Sequence, residues 1–464
     1  MSNFPRLMIA GLSGGSGKTI VSLALAQAWV RQGLAVRPFK KGPDYIDAVW
    51  LGLAAGREAV NLDPFMFPRD QVVPLLAERM ADCDLGLIEG NRGLFDGKDT
   101  EGSFSSAELA RIVSAPVVLV IDCTKMTRTV AALVQGCTNF EPGLNLAGVV
   151  LNRTAGERHR SVLKSAMETY TDVPVVGMLP KIAENPIPER HMGLISNREF
   201  TGLAPMLDSL AALAKDWLDL DLALSLARTA PDLAPGPVRW PGPEALSGGT
   251  APRIGYIRDA ALWFYYPENL EALSRAGAEL IELSLVSPEP WPEIHGLYLG
   301  GGFPETQAAA LAENRAVRER VRALSGQGLP IYAECGGFMY LCKSLTVEGT
   351  EYPMAGVFDL STELCARPQG LGYVEAEVAT ANPFFTLGTH IRGHEFHYSR
   401  CVLGDLPQAT VLTLSKGNGL RNGRDGILAG NTYAAYTHIH ALGVPEWAPN
   451  FVGAAAGWMR GVGE

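Results

Sequence analysis

The amino-acid sequence predicts two α/β domains, each on a mostly parallel β-sheet. Short apolar runs alternate with amphipathic stretches in both halves of the chain. A segment loaded with Pro and Gly, Thr229–Pro252, interrupts that alternation. The length, 464 residues, exceeds what one ordinary core organises.

In the first half, Leu7–Ala10, Ala35–Phe39, Leu85–Glu89, Val117–Asp122 and Leu146–Leu151 read as buried strands. Val21–Gln32 and Ser105–Val113 read as helices between them. Strands buried on both faces and separated by helices form parallel sheets covered on each side. Thr229–Pro252 reads as a linker, giving domains at 1–228 and 253–464. Beyond it, strands are expected at Arg253–Ile257, Leu280–Ser284, Gly296–Leu299 and Pro330–Ala333, with a helix at Asn269–Ala276.

Composition narrows the function classes. A net charge of −10 argues against a nucleic-acid binder, though a local site can still be basic. The seven Cys form no CxxC pair and no regular spacing, so a reducing, cytoplasmic setting is expected. The opening Met-Ser-Asn-Phe-Pro-Arg lacks the apolar region of a signal peptide. No apolar run approaches the roughly 18 residues of a membrane span.

Gly11-Leu-Ser-Gly14-Gly15-Ser-Gly17-Lys18-Thr19 follows the first predicted strand and opens a predicted helix. Glycines let backbone amides wrap phosphates, the helix N-terminus favours anions, Lys18 reaches the terminal phosphates and Thr19 can hold Mg²⁺. Leu12 stands where the strict P-loop pattern has glycine, and Gly11 lies one residue further out. This longer spacing resembles the dethiobiotin synthetase branch of P-loop proteins. Carboxylates follow two more strands, in Lys40-Lys41-Gly-Pro-Asp44-Tyr-Ile-Asp47 and Glu89-Gly-Asn-Arg-Gly-Leu-Phe-Asp96. Ligands collect at the carboxyl ends of such strands. Thr19, Asp44 and Glu89 are therefore a candidate oxygen set for Mg²⁺.

Gly-Pro-Asp44-Tyr-Ile-Asp47, the Glu89–Gly97 segment, Ser106–Arg111 and Pro188–Leu194 together resemble the cobyrinic acid a,c-diamide synthase family over nearly the whole chain. The resemblance implies that ATP phosphorylates a carboxylate of a tetrapyrrole, after which ammonia displaces phosphate. It implies that Asp44, Asp47, Glu89 and Asp96 handle metal, nucleotide and the reacting carboxylate. By similarity to dethiobiotin synthetase-like proteins, Asn152 and Arg153 contact the base. Lys18 with Lys40 or Lys41 can neutralise the charge that gathers as a phosphoryl group approaches a carboxylate. Lys41 stands where the family usually carries an apolar residue.

In the second half, Ala333-Glu334-Cys335-Gly336-Gly337 leaves an apolar strand and enters a helix, the form of a nucleophile elbow with sulfur in place of oxygen. The helix N-terminus is expected to lower the thiol pKa. Backbone amides around Gly301, Gly302 and Gly336 can bind the oxyanion formed when Cys335 attacks the carboxamide of L-glutamine. Tyr436-Thr-His438-Ile-His440 resembles the catalytic-histidine region of class I glutamine amidotransferases, and the preceding Tyr selects His438. Typical members carry an acid two residues later, where this chain has His440, so the third member is left open. Arg392-Gly-His394-Glu-Phe-His397 also matches the family, which assigns it to a domain interface or substrate mouth. Asp259 with Trp263–Tyr266 matches as well, or is a packing loop.

The resulting expectation is a glutamine- and ATP-dependent amidation of the a and c acetates of cobyrinic acid in cobalamin biosynthesis. Hydrogenobyrinic acid, nickel-sirohydrochlorin and sirohaem present the same carboxylates to the same machinery. A non-enzymatic P-loop switch or a regulatory protein is the alternative class, against which Cys335, His438 and Lys18 all stand. A homodimer is expected from the P-loop lineage.

Overall fold

The computed structural model describes residues 4–182, 187, 189–190, 193–194, 202–242, 250–402 and 410–462, with the backbone alone at 189–190, 193–194 and 462. Pro188, His191 and Met192 of the Pro188–Leu194 motif lie outside the described residues, as does 243–249 of the Pro- and Gly-rich stretch. The chain divides into two compact units, residues 1–238 and 239–464.

The first unit is a seven-stranded sheet of β1 (Arg6–Gly11), β2 (Val36–Lys41), β3 (Val60–Leu62), β4 (Leu85–Gly93), β5 (Val117–Asp122), β6 (Leu146–Thr154) and β7 (Val175–Pro180). Its order is β3-β2-β4-β1-β5-β6-β7, and every pairing is parallel. The edge strands β3 and β7 escape a reading by apolar runs. One is three residues long, and the other is half-buried with Gly177 inside it. The segment ending at Glu89 is consequently the fourth strand, not the third.

Helix α1 (Lys18–Arg31) buries Val21, Leu23, Leu25 and Trp29. It packs on the sheet, on α2 (Tyr45–Ala55) and on Leu203–Trp217. Gly17 precedes it at φ 95°, and a Cβ there would collide with the amide nitrogen of Asn152. Only glycine meets both conditions. Asp44 caps α2, its Oδ1 accepting from the backbone N–H of Ile46 and Asp47 at 3.0 Å each, and Gly56 at φ 66° ends it.

The second unit holds β8 (Arg253–Ile257), β9 (Glu279–Leu283), β10 (Gly296–Leu299), β11 (Ile331–Glu334), β12 (Ile427–Ala429) and β13 (Thr432–Ala435). They form one sheet in the order β9-β8-β10-β11-β13-β12, parallel except for the β12–β13 hairpin. Its two faces carry separate apolar clusters, one around Leu297, Phe338 and Tyr436, the other around Tyr298, Tyr332 and Trp447. Between β11 and β12 the chain builds two further four-stranded sheets. These are not among the strands read from the sequence, because their half-exposed strands lack continuous apolar runs.

One cation is enclosed at the start of β1. The Arg6 guanidinium donates to the carbonyls of Val113 at 2.5 Å, Ser114 at 3.1 Å, Phe4 at 2.8 Å and Pro231 at 2.8 Å. Burial lowers its pKa to about 10, opposed by nearby Asp232. Replacing it strips donors from buried carbonyls. Arg6→Met is expected to destabilise the first unit by about 2–3 kcal/mol, read from urea denaturation.

Candidate active sites

The P-loop is braced from below. Ser16 Oγ donates to Ser13 O at 2.7 Å and accepts from Ser13 N–H at 3.0 Å. Asn152, at the end of β6, donates its side-chain amide to Ser16 O at 2.8 Å and accepts from Arg153 N–H. Gly14 and Gly15 lie exposed in open space, with Gly15 at φ 75°. Asn152 thus acts on the loop itself in this structure. Arg153 is exposed at φ 55°, and its guanidinium pairs with Asp122 at 2.5 Å.

Beneath the loop, four of the expected residues meet around Lys40, which is fully buried. Its Nζ lies 2.5 Å from Asp47 Oδ2, 2.9 Å from Glu89 Oε1 and 4.0 Å from Asp44 Oδ2. Thr19, in the first turn of α1, donates to Glu89 Oε1 at 2.8 Å. Burial opposes the charge on Lys40, yet Asp47, Glu89 and Asp44 together raise its pKa above the ordinary lysine value. Burial likewise works against Asp47, but Lys40 and Lys18 hold it below the usual carboxylate range. Glu89 is shifted up by burial, with Lys40 opposing.

Lys41 faces the other way, because successive strand residues alternate. It is buried, and burial lowers its pKa, with Asp63 opposing. Asp96 is exposed, and its Oδ2 accepts from Gly93 N–H at 2.9 Å in a turn following β4. The sequence places Lys41, Asp96 and Arg153 at strand ends, but the fold does not gather them around Lys40.

The oxygen set suits a hard cation. Glu89 is fully buried and its Oε2 has no hydrogen-bond partner, leaving one carboxylate oxygen beside the Thr19 hydroxyl for an ion. Asp44 contributes less, since its Oδ1 already caps α2. Among the described residues no three His, Cys, Asp or Glu side chains form a ready-made metal cage.

In the second unit, Cys335 follows β11 at φ 47°, ψ −98°, a conformation strained for any residue but glycine. Its N–H donates to Ala435 O at 2.7 Å, so β13 locks the turn and delivers His438 three residues later. The loop after β10 closes in. A Cβ on Gly301 would lie 2.5 Å from His438 Cε1, and one on Gly336 would lie 3.0 Å from Gly302 N. Gly302 itself sits at φ 154°. Cys335, His438, Gly301, Gly302 and Gly336 therefore converge, as a thiol acyl-transfer site requires.

The thiol departs from expectation. Burial, together with Glu305, Glu334 and Asp425, pushes the Cys335 pKa well above its ordinary value, and the Gly336 N–H only partly opposes this. The helix it opens, Gly336–Leu341, is one short buried element, too weak an N-terminus to outweigh desolvation. At neutral pH the resting group is a thiol, and attack requires a base.

Residues 7–195 match the model of the CobQ/CobB/MinD/ParA nucleotide binding domain, and residues 253–445 match that of the CobB/CobQ-like glutamine amidotransferase domain. A cobyrinate a,c-diamide synthase of Magnetococcus marinus is 42% identical over 447 residues, 96% of each chain. One of Listeria innocua is 39% identical over 440 residues, 94% of this chain and 96% of the relative. The chain belongs to the cobyrinate a,c-diamide synthase family.

Within this member of the cobyrinate a,c-diamide synthase family, the position two residues after the histidine takes no part as an acid. His440 Nε2 lies 3.6 Å from Glu268 Oε2, and its ring packs on Tyr266. The carboxylate at His438 comes instead from Glu334, the residue before the nucleophile, whose Oε2 is 3.3 Å from Nδ1. A charged residue ending an apolar strand was the one signal for it in the sequence. His394 belongs to the same cluster: its ring stacks on His438 at 4.7 Å and 15°, and its Nε2 meets Tyr266 OH at 2.9 Å. His397 stacks on Tyr436 at 3.6 Å. Asp259 is a packing residue, accepting from the N–H of Ala261, Leu262 and Leu285.

Two outcomes test these electrostatics. Lys40→Met leaves Glu89 and Asp47 without their cation and is expected to cost about 3–5 kcal/mol of stability near neutral pH. The deficit should shrink in acid, where both carboxylates protonate, as denaturation at two pH values would reveal. Burial also raises the Glu305 pKa from 4.5 to about 7. A carboxyl with a raised folded pKa stabilises at low pH and loses that contribution as pH rises. Glu305→Gln should therefore gain stability relative to the parent from about pH 4.5 to 7 and level off above.

Proposed function

We propose that this protein amidates the a and c acetate carboxylates of cobyrinic acid in cobalamin biosynthesis, using ATP and glutamine. One observation carries the reading. A P-loop with a Glu89–Thr19 oxygen pair, and a strained Cys335 held by the strand that leads to His438, occur in one chain, which aligns over 96% of its length with a cobyrinate a,c-diamide synthase. The reading places the enzyme in the cytoplasm as a homodimer. No helix among the described residues is long and apolar enough to cross a membrane.

In the second unit, His438 takes the thiol proton as Cys335 Sγ bonds to the glutamine carboxamide carbon. The amides near Gly302 and Gly336 receive the oxyanion. The proton passes to the departing nitrogen, the C–N bond breaks, and ammonia leaves a thioester. Water then releases glutamate and restores the thiol. In the first unit, the P-loop amides and Lys18 hold the nucleotide phosphates. Thr19 and Glu89 would hold Mg²⁺, which supplies charge neutralisation when bound. A substrate carboxylate oxygen attacks the terminal phosphorus, ADP leaves, and the acyl phosphate loses phosphate to ammonia. Lys40 keeps Asp47 and Glu89 compensated in the absence of ligand.

Mass spectrometry of products from cobyrinic acid, hydrogenobyrinic acid, nickel-sirohydrochlorin and sirohaem, offered in parallel, tests the substrate. A diamide from cobyrinic acid is expected; a product from another tetrapyrrole alone would replace the substrate assignment. Cys335→Ala should lose glutamine-driven amidation by at least ~10³-fold while still amidating with added ammonium. Lys18→Ala should lose both.

A further inference from the structure

The acid that completes the glutaminase is absent from its usual place in the sequence, and the fold supplies a carboxylate from elsewhere. We infer that Glu334 is the positioning residue of the glutaminase: its carboxylate accepts the Nδ1–H of His438 and so holds the ring as the tautomer whose Nε2 lone pair takes the Cys335 proton. The inference rests on the glutaminase reading above and assigns a role within it.

The geometry is over-determined. Glu334 is fully buried, yet four polar groups reach it. Its Oε1 accepts from Tyr332 OH at 3.1 Å and from Ile439 N–H at 3.2 Å. Its Oε2 lies 3.3 Å from both Tyr298 OH and His438 Nδ1. Two phenols and a backbone amide can only donate there if the carboxyl oxygens accept. The backbone N–H of Ile439 can only donate, and Tyr298 OH already accepts from the Asn269 amide at 3.3 Å, which leaves its own proton for Oε2, so both carboxyl oxygens are placed as acceptors. An acceptor oxygen 3.3 Å from Nδ1 places the imidazole proton on that nitrogen.

The remaining edges of the ring are also fixed. His394 stacks across one face, Gly301 packs against Cε1, and backbone bonds tie His438 N–H to His394 O at 2.8 Å and His394 N–H to His438 O at 3.1 Å. Burial and the neighbouring His438 keep the His394 pKa well below its ordinary value, so the stacked partner stays neutral. The position in the chain matters too. Glu334 is the last residue of β11 and pairs in register with Ala435 of β13, so strand pairing itself aligns carboxylate and histidine. A single turn at Cys335 then sends the nucleophile out from the residue beside the acid.

The Asp and Gln variants separate a charge role from a packing role. Glutamine keeps the shape of Glu334 and can still accept from the tyrosines, but its amide N–H facing Nδ1 favours the wrong tautomer. Aspartate loses a methylene and keeps the charge. Glu334→Gln is expected to lower the glutaminase kcat about 10²–10⁴-fold with the glutamine KM changed less than about threefold. Glu334→Asp should be at least tenfold more active than Glu334→Gln. A residue needed only for packing would reverse that order, and either reversal or a near-normal Glu334→Gln would overturn the inference. Should the variants fail to fold, ¹⁵N NMR of histidine-labelled parent protein decides: His438 is expected as the Nδ1–H tautomer, and an Nε2–H tautomer would refute the assignment. A parent protein that hydrolyses no glutamine would defeat the glutaminase reading itself, whereas an active parent with an equally active Glu334→Gln defeats this inference alone.

Discussion

A fully buried carboxylate is costly unless donors or cations surround it, and this chain buries one beside each of its sites. Glu89 lies on β4 of the first sheet, and Glu334 ends β11 of the second. Parallel sheets covered on both faces leave only the strand ends for polar chemistry, so the residues that satisfy these two carboxylates are the residues of the sites. Around Glu89 they are Lys40 and Thr19. Around Glu334 they are two tyrosines, a backbone amide and His438.

The two solutions differ in a way that matches their chemistry. Lys40 is a compact cation sealed among Asp47, Glu89 and Asp44, which keeps several negative charges tolerable where more negative charge must arrive with a nucleotide. One oxygen of Glu89 is left over, and an ion can take it. Around Glu334 nothing is left over. Each oxygen is matched by donors, so the group is suited to orienting a neighbour and ill suited to binding a ligand.

Close approach, made possible by glycine, assembles both sites. Gly17 lets Asn152 reach under the phosphate loop, and Gly301 lets His438 come against the loop after β10. The strain at Cys335 belongs to the same economy of space: its N–H is tied to Ala435 and its thiol is buried, so the conformation is imposed by strands on either side. Burial that holds the thiol in place also raises its pKa, so the proposed reaction calls on His438 as its base.

The sequence alone determined the α/β class, the P-loop and the thiol elbow, because these rest on local signals: glycine spacing, apolar runs and the residue types that end them. Lys18, Thr19, Glu89 and Cys335 are read from the same signals, whereas His438 comes from a resemblance to class I glutamine amidotransferases. The sequence did not disclose the edge strands β3 and β7, which are too short or too exposed to carry a run, nor the antiparallel sheets of the second unit. Tertiary structure decided which residues meet. Lys40 and Lys41 are neighbours in sequence, yet strand alternation sends Lys40 to Asp47 and Glu89 and leaves Lys41 under the influence of Asp63. Asp96 ends the expected motif in an exposed turn, where its carboxylate accepts from Gly93 N–H. Glu334 and His438 are 104 residues apart, and only the pairing of β11 with β13 brings them into contact. Contacts of that kind depend on register between distant strands, which no local pattern of residues encodes.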